Sequence, residues 1–222
     1  MRTLKILIAV LTTATILVGA PPVQAAQAAQ QRKQQSFTST IKEGRKAVRK
    51  ALKQTKTTSA SVALVSNGKT VWSQTFGRAD KAGRKPSPTA KYAIGSVSKM
   101  VTAIAVMQLV DQGKISLDAP VTRYVPDFSM KSPQYKQITV RMLLNHSAGL
   151  PGSDYANGVS TKPLSGYVSG VMAGLRNSHL KTTPGAMNVY CNDCFTLAGV
   201  VVERISGVPL QEYAARNIFT PL

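Results

Sequence analysis

A serine and a lysine lie three residues apart in the segment IGSVSKM, residues 94–100. If a helix begins here, Ser96 and Lys99 share one side of its first turn. A lysine whose pKa is lowered by burial can take a proton from a serine hydroxyl, and the amino end of a helix can stabilise an oxyanion. The spacing therefore favours a nucleophilic serine for acyl transfer, although serine at a helix start is also an ordinary capping residue.

A second pair of polar residues follows in PGAMNVYCND, where Tyr190 and Asn192 are two residues apart. In an extended segment this spacing puts both side chains on the same side. A tyrosine near a cationic lysine can act as a general base or proton shuttle, and an asparagine can bind a substrate amide or hold the lysine. Each residue alone is also consistent with an ordinary polar loop.

The helix that must position Lys99 is indicated by the apolar run VTAIAVMQLV, residues 101–110. We expect this helix to extend from Ser98 to about Gln112 and to end at Gly113. Its apolar residues cover most of its circumference, and such a pattern is typical of a helix buried on all sides. The sequence therefore predicts a desolvated lysine at the mouth of a buried helix.

Other segments predict a hairpin and further helices. Asn67-Gly68 lies between two strand-like runs, Ser61–Val65 and Thr70–Phe76, and favours a tight hairpin turn. The segment ITVRMLLNHSAGLP predicts a short helix broken by glycine and proline, and FTLAGVVVERISG and LQEYAARNIF predict two more. Two strands make a marginal sheet, so we expect the sheet to need additional strands.

The amino-terminal region predicts export. A basic start, the apolar run Ile6–Val18 and small residues after it are typical of a secretory signal peptide over residues 1–25. The alternative is an uncleaved membrane anchor, and either places the folded part in the secreted or cell-envelope compartment. A low-complexity, disordered linker over residues 26–38 then leads to a domain over residues 39–222.

The formal net charge of +19 is unevenly distributed. Between Arg32 and Lys56 there are nine lysines or arginines and one acid, and helical periodicity begins at about Ser39. A basic surface over residues 31–56 could hold anionic cell-wall polymers or a membrane surface, or be simply a solvated face. Without interleaved aromatic residues, nucleic acid is not expected as a partner.

The two cysteines, Cys191 and Cys194, form a single C-x-x-C pair. In an oxidising compartment they could form a local disulfide or remain two buried thiols, and catalytic redox work is the least favoured interpretation. The two histidines, His146 and His179, lack metal-ligand spacing. The sequence therefore predicts no metal site and no cofactor.

Five segments occur in an order that resembles the serine beta-lactamase-related family: IGSVSKM, GKISLDAPVTRYVP, TVRMLLNHSAGLP, PGAMNVYCND and LAGVVVERISG. That family includes class C beta-lactamases, DD-peptidases (penicillin-binding proteins), D-aminopeptidases and esterases. The resemblance runs from about Lys42 to Leu222. It implies an α/β (α+β) fold of the beta-lactamase/transpeptidase type, with an antiparallel sheet flanked by helices and a helical subdomain.

The resemblance also implies roles for the four polar residues. Ser96 would be the acylated nucleophile, and its backbone N–H would form half of the oxyanion hole. Lys99 would activate Ser96 and relay protons, and Tyr190 would be the general base. Asn192 would bind substrate or orient Lys99. The substrate would be a beta-lactam, a D-amino-acid peptide such as a peptidoglycan stem (D-Ala-D-Ala carboxypeptidase-like activity), or an ester.

Other residues of the matching segments receive no chemistry from the resemblance. His146 and Gly149 fall in a stretch with a structural role. Cys191 and Cys194 fall where many relatives have serine and glycine, and could change the rigidity of the segment that carries Tyr190. Oligomeric state is not predicted.

One motif of the family has no counterpart in this chain. Family members carry Lys-Thr-Gly or His-x-Gly on a later strand that completes the oxyanion hole, and no such strand motif follows Tyr190. We therefore expect residues 39–222 to be the N-terminal part of the domain, without the later sheet strands, and to fold and hydrolyse poorly alone. The alternative function is a non-catalytic, basic cell-envelope-binding protein, or an inactive fragment, on the same scaffold.

Overall fold

The structure is a computed structural model that describes residues 22–152 and 165–222, with side chains from residue 37 onward. The chain divides into two compact units, Met1–Tyr92 and Ala93–Leu222. The predicted signal peptide lies almost entirely outside the described residues. Ser96, Lys99, Tyr190 and Asn192 all belong to the second unit.

The first unit combines a long helix with a hairpin. Helix α1 (Pro22–Thr55) packs against strand β2 (Lys69–Gly77), which pairs antiparallel with β1 (Ser59–Ser66). Asn67 and Gly68 have φ angles of 50° and 72°, the left-handed conformation that a two-residue hairpin turn requires. The predicted hairpin is therefore confirmed.

Helix α1 is amphipathic where its side chains are described. Ile41, Val48 and Leu52 are partly buried, whereas the lysines and arginines of the helix are exposed, as the periodicity from Ser39 onward predicts. The backbone is also helical over residues 26–38, where the composition predicted a disordered linker. Alanine, glutamine, lysine and arginine dominate that stretch, and all four have high helix propensity.

The regular secondary structure described in the second unit is helical. Its helices are α2 (Ser98–Asp111), α3 (Val140–Leu144), α4 (Tyr167–Arg176), α5 (Asn192–Ser206) and α6 (Leu210–Ala214), which continues as a π-helical turn, Ala215–Phe219. The ends of α2 and α5 agree with the sequence prediction, because Gly113 and Gly207 follow them in the left-handed conformation that terminates helices.

One apolar core joins these helices. Helix α2 packs against α5 and α6, and α3 and α4 also pack against α5. The side chains that are completely or almost completely buried include Leu109, Phe128, Leu143, Leu197 and Val201. Helix α5 lies at the centre of this packing, and it fixes the position of the residues immediately before it.

The prediction that α2 is buried on all sides is wrong. Val106 and Leu109 face the core, but Met100, Ile104 and Met107 on the opposite side are 65%, 43% and 39% exposed. An apolar circumference shows that a helix can be buried on every side, whereas actual burial requires elements on both sides of it. Within the second unit, α5 and α6 cover only one side of α2.

The described chain combines helices with a small antiparallel sheet, in agreement with the predicted α+β fold class. In residues 22–152 and 165–222 this sheet has two strands. No helix in these ranges combines the length and the apolar composition that crossing a bilayer requires.

Candidate active site

A 3₁₀ turn leads directly into α2 and carries the predicted nucleophile. The turn spans Gly95–Val97, and Gly95 has a φ angle of 52°. Val97 is the N-cap residue of α2, and no side chain caps this helix end. Ser96 therefore does not act as the helix cap, and its exposed hydroxyl is turned to other partners.

The first partner of the Ser96 hydroxyl is Lys99. Lys99 Nζ donates a hydrogen bond to Ser96 Oγ at 3.2 Å, as the i, i+3 spacing predicts. The lysine is partly buried rather than enclosed, because the helix side that carries it is exposed. The contact is confirmed, whereas the predicted full desolvation of the lysine is not.

The second partner is Tyr190, which comes from a distant part of the chain. Its hydroxyl and Ser96 Oγ are hydrogen-bonded to each other. Lys99 Nζ lies 4.8 Å from the centroid of the Tyr190 ring and 5.8 Å from that of Phe195. The structure thus brings serine, lysine and tyrosine into one cluster.

The electrostatics of the cluster favour ionisation of the tyrosine. The pKa of Tyr190 lies below its usual value of 10.0, chiefly because Lys99 hydrogen-bonds the phenol and then because Ser96 does. The positive charge of Lys99 acts in the same direction, and burial opposes it. A phenolate beside a serine hydroxyl is a competent proton acceptor.

The segment that carries Tyr190 is held by the loop after α3. The backbone N–H of Gly185 donates to the carbonyl of Ser147 at 2.8 Å, and Val189 N–H donates to the carbonyl of His146 at 2.9 Å. On the other side of Tyr190, Cys191 N–H donates to His146 Nδ1 at 3.2 Å. These bonds fix the backbone on both sides of the tyrosine.

His146 is a site residue that sequence reasoning missed. Its ring lies 4.8 Å from the Tyr190 ring and 5.1 Å from the Phe195 ring, measured between centroids. The available signal was its rarity, since the chain has two histidines and this one precedes a glycine turn. The family resemblance implied a structural role for the stretch that contains His146, but no contact with Tyr190.

Gly149 has the structural role that the resemblance implied. Its φ angle is 71°, and a Cβ atom added there would lie 2.2 Å from the carbonyl oxygen of Thr182. Lys181 N–H donates to the carbonyl of Gly149 at 2.8 Å. The loop after α3 can therefore approach the 181–191 segment closely only with glycine at this position.

Cys191 and Cys194 are joined as a disulfide, which decides between the two alternatives that the sequence left open. The sulfur of Cys191 also accepts a hydrogen bond from the backbone N–H of Cys194 at 3.0 Å and so caps the amino end of α5. Both cysteines are buried. The disulfide links the residue after Tyr190 to the first turn of a core helix.

Asn192 is the first residue of α5 rather than a member of an extended segment. The start of the helix therefore sets the direction of its side chain. The prediction that Tyr190 and Asn192 lie on the same side of an extended segment does not apply. Its assignment to substrate binding or to orientation of Lys99 stays a prediction. Within the described ranges, no group of three or more His, Cys, Asp or Glu side chains could hold a metal ion.

Comparison with known proteins identifies the family and the fold. The sequence profile described as "Beta-lactamase" matches residues 45–222. "Protein flp" of Staphylococcus aureus (strain COL) is 29% identical over 165 residues, which are 73% of this chain and 33% of that protein.

Two solved structures have similar folds. The octameric penicillin-binding protein homologue from Pyrococcus abyssi has a TM-score of 0.69 and 27% identity, over 82% of this chain and 42% of that one. The beta-lactamase/D-alanine carboxypeptidase from Pseudomonas syringae has a TM-score of 0.65 and 26% identity, over 79% of this chain and 47% of that one. The chain thus spans about a third of the curated relative and less than half of either structure.

Proposed function

Because the chain belongs to the beta-lactamase family, we propose that it is a serine hydrolase that forms an acyl-enzyme on Ser96. The family consists of serine hydrolases, and assigning that chemistry to particular residues is our proposal. The observation that carries it is the cluster in which Ser96 Oγ meets both the Tyr190 hydroxyl and Lys99 Nζ. The whole protein's activity is inferred from this cluster.

The proposed acylation begins with proton transfer from Ser96 Oγ to the Tyr190 phenolate as the serine oxygen attacks the substrate carbonyl carbon. Lys99 Nζ holds the phenolate, and the backbone N–H of Ser96 donates to the oxyanion that forms. The tetrahedral intermediate then expels its amine or alcohol, which takes the proton from Tyr190. This leaves an ester on Ser96 and returns Tyr190 to its phenolate form.

Deacylation is the reverse sequence with water. Tyr190 takes a proton from the attacking water, the second tetrahedral intermediate forms, and Ser96 leaves with the proton returned by Tyr190. The products are a carboxylic acid and the regenerated serine. Asn192 is proposed to bind the substrate amide or to orient Lys99 at the edge of this site.

The proposed substrates are beta-lactams, D-amino-acid peptides and esters, which share a carbonyl open to attack by serine. The two similar structures are a penicillin-binding protein homologue and a beta-lactamase/D-alanine carboxypeptidase, and these proteins support the first two classes. Among D-amino-acid peptides, the natural substrate we propose is the stem peptide of peptidoglycan. Such a substrate requires a secreted or cell-envelope enzyme, and the disulfide suits that oxidising compartment.

The test is covalent labelling of the purified chain with a fluorescent penicillin and with a fluorophosphonate. We expect labelling of the wild type, with the adduct located on Ser96 by mass spectrometry, and loss of labelling in Ser96→Ala. Ser98→Ala is the matched control, because Ser98 is an exposed serine two residues away that the mechanism does not use. Undiminished labelling of Ser96→Ala, or no labelling of folded wild type, would contradict the proposal.

A second candidate function is binding of an anionic cell-envelope polymer through α1. The observation that favours it is the exposed set of basic side chains on that helix, which comprises Lys42, Arg45, Lys46, Arg49, Lys50 and Lys53. Over the same described residues the helix has one acid, Glu43, which pairs with Lys46 at 3.0 Å. In this function Ser96 would be dispensable.

A further inference from the structure

His146 contacts the Tyr190 segment at three points, although no chemistry was assigned to it. Its carbonyl accepts from Val189 N–H, its Nδ1 accepts from Cys191 N–H, and its ring lies against the ring of Tyr190. Tyr190 is thus held through the residue before it, the residue after it and its own side chain.

The backbone of His146 is specialised for this arrangement. Its φ angle of 63° is in the left-handed region, which few non-glycine residues adopt and in which histidine, asparagine and aspartate are enriched. This conformation directs the carbonyl and the ring of one residue to the same segment.

The hydrogen bond from Cys191 N–H defines the protonation state of the imidazole. Nδ1 can accept only if it carries no proton, so the ring is neutral and its proton is on Nε2. The pKa of His146 lies below its usual value of 6.5, first because of burial and then because of the charge of Lys99. The ionisable side chains described around the ring are Lys99 from α2 and Tyr190, and α5 contributes the uncharged ring of Phe195.

We propose that His146, in its neutral form, is a positioning residue that holds the Tyr190 hydroxyl against Ser96 Oγ. The proposal rests on the proposed function, in which Tyr190 is the general base. Protonation of Nδ1 would place two N–H donors against each other at the Cys191 contact and a second positive charge near Lys99. Acid would therefore loosen the general base through His146, in addition to protonating the Tyr190 phenolate directly.

The experiment compares two variants that tolerate the left-handed backbone. His146→Gly removes the ring and the acceptor, and His146→Asn replaces Nδ1 with an amide oxygen that accepts but does not titrate. His179→Asn is the matched control at the other histidine. Thermal melting establishes that each variant is folded, and the rate of Ser96 labelling by the fluorophosphonate is measured against pH.

We expect His146→Gly to label about 10- to 100-fold more slowly, the order of loss that follows misplacement of a catalytic group. Added imidazole should restore part of the rate. His146→Asn should label at nearly the wild-type rate at neutral pH but lose less of that rate as the pH falls below 6. A folded His146→Gly with the wild-type rate and the wild-type pH profile would overturn the proposal.

A second measurement does not depend on any hydrolase activity. The pKa of Tyr190 is followed by the ultraviolet absorbance of tyrosinate, as the difference from Tyr190→Phe. If His146 holds the tyrosine beside Lys99 and Ser96, this pKa should rise toward 10.0 in His146→Gly. An unchanged pKa in the folded variant overturns the proposal. If the pKa of Tyr190 rises in His146→Gly but the wild type is not labelled at Ser96, only the proposed function is overturned.

Discussion

Lys99 is the residue that contacts every other member of the Ser96–Tyr190 cluster. It donates to Ser96 Oγ, it lies close to the rings of Tyr190 and Phe195, and it is the largest cause of the lowered pKa of Tyr190. A partly buried lysine suits this role, because one side of it is shielded from water. In the proposed mechanism Lys99 is therefore the residue that makes its tyrosine partner a base.

Replacing Lys99 with glutamine should raise the pKa of Tyr190 toward 10.0, because both the leading hydrogen bond and the positive charge are lost. Tyrosinate absorbance, taken as the difference from Tyr190→Phe, measures the change. Lys114→Gln, at an exposed lysine beyond the end of α2, should leave this pKa unaltered. If the pKa of Tyr190 is the same in both variants, Lys99 does not lower that pKa.

The lowered pKa of Tyr190 also determines whether the stability of the fold rises or falls with pH. A phenol whose folded-state pKa is lowered stabilises the fold fully only above the unfolded-state value of about 10. This contribution is lost as the pH falls through the folded-state pKa. For His146 the pKa is also lowered, so its contribution is complete above about pH 6.5 and is lost in acid.

At the scale of elements, the site depends on a loop and an irregular segment rather than on helices alone. Helix α2 supplies Ser96 and Lys99, but Tyr190 is held by backbone bonds between the loop after α3 and the chain before α5. The disulfide then connects this segment to the first turn of α5. The close approach at Gly149 allows the loop and the segment to meet.

Gly149→Ala should lower the free energy of unfolding by about 1 to 3 kcal/mol, because alanine is strained at a φ angle of 71° and its Cβ would overlap the Thr182 carbonyl. Denaturant unfolding measures the loss. Gly174→Ala in α4 is the matched control, since its Cβ would meet open space and alanine favours a helix. A loss of the same size in both variants would contradict the close-approach argument.

The sequence predicted correctly those features that residues close together in the chain determine. The Ser96–Lys99 contact follows from helical spacing alone, and the hairpin follows from Asn67-Gly68. The exposed side of α2 could not be predicted, because burial depends on neighbouring elements that its own residues do not specify. The role of His146 was missed for the same reason, since its partners lie in a distant segment. The pairing of Cys191 with Cys194 was one of two alternatives that their spacing allowed.

At the scale of the whole molecule, charge is distributed unequally. The net charge is +19, and the basic residues of α1 are exposed along a helix with few acids. Such a field attracts polyanions in a salt-dependent way, without requiring a shaped pocket. It also keeps the molecule soluble, which is the simplest explanation of the same residues.

Binding to lipoteichoic acid, a glycerol-phosphate polymer, distinguishes these explanations. Lys46, Lys50 and Lys53 share one side of α1, and their joint replacement with glutamine should weaken binding and reduce its salt dependence. The matched control replaces three exposed lysines of the second unit, Lys114, Lys131 and Lys136, with glutamine. Equal loss in both triple variants would mean that net charge alone, and not the α1 surface, attracts the polymer.

The uncovered side of α2 has a chemical consequence for the site beside it. Met100 and Met107 lie on that side, and Met187 is a 56% exposed thioether three residues before Tyr190. Thioethers in such positions are open to peroxide, and each sulfoxide formed would place a strong polar acceptor where the surface is now apolar. Oxidative damage to this protein is therefore expected to begin around Ser96 and Tyr190 rather than in its core.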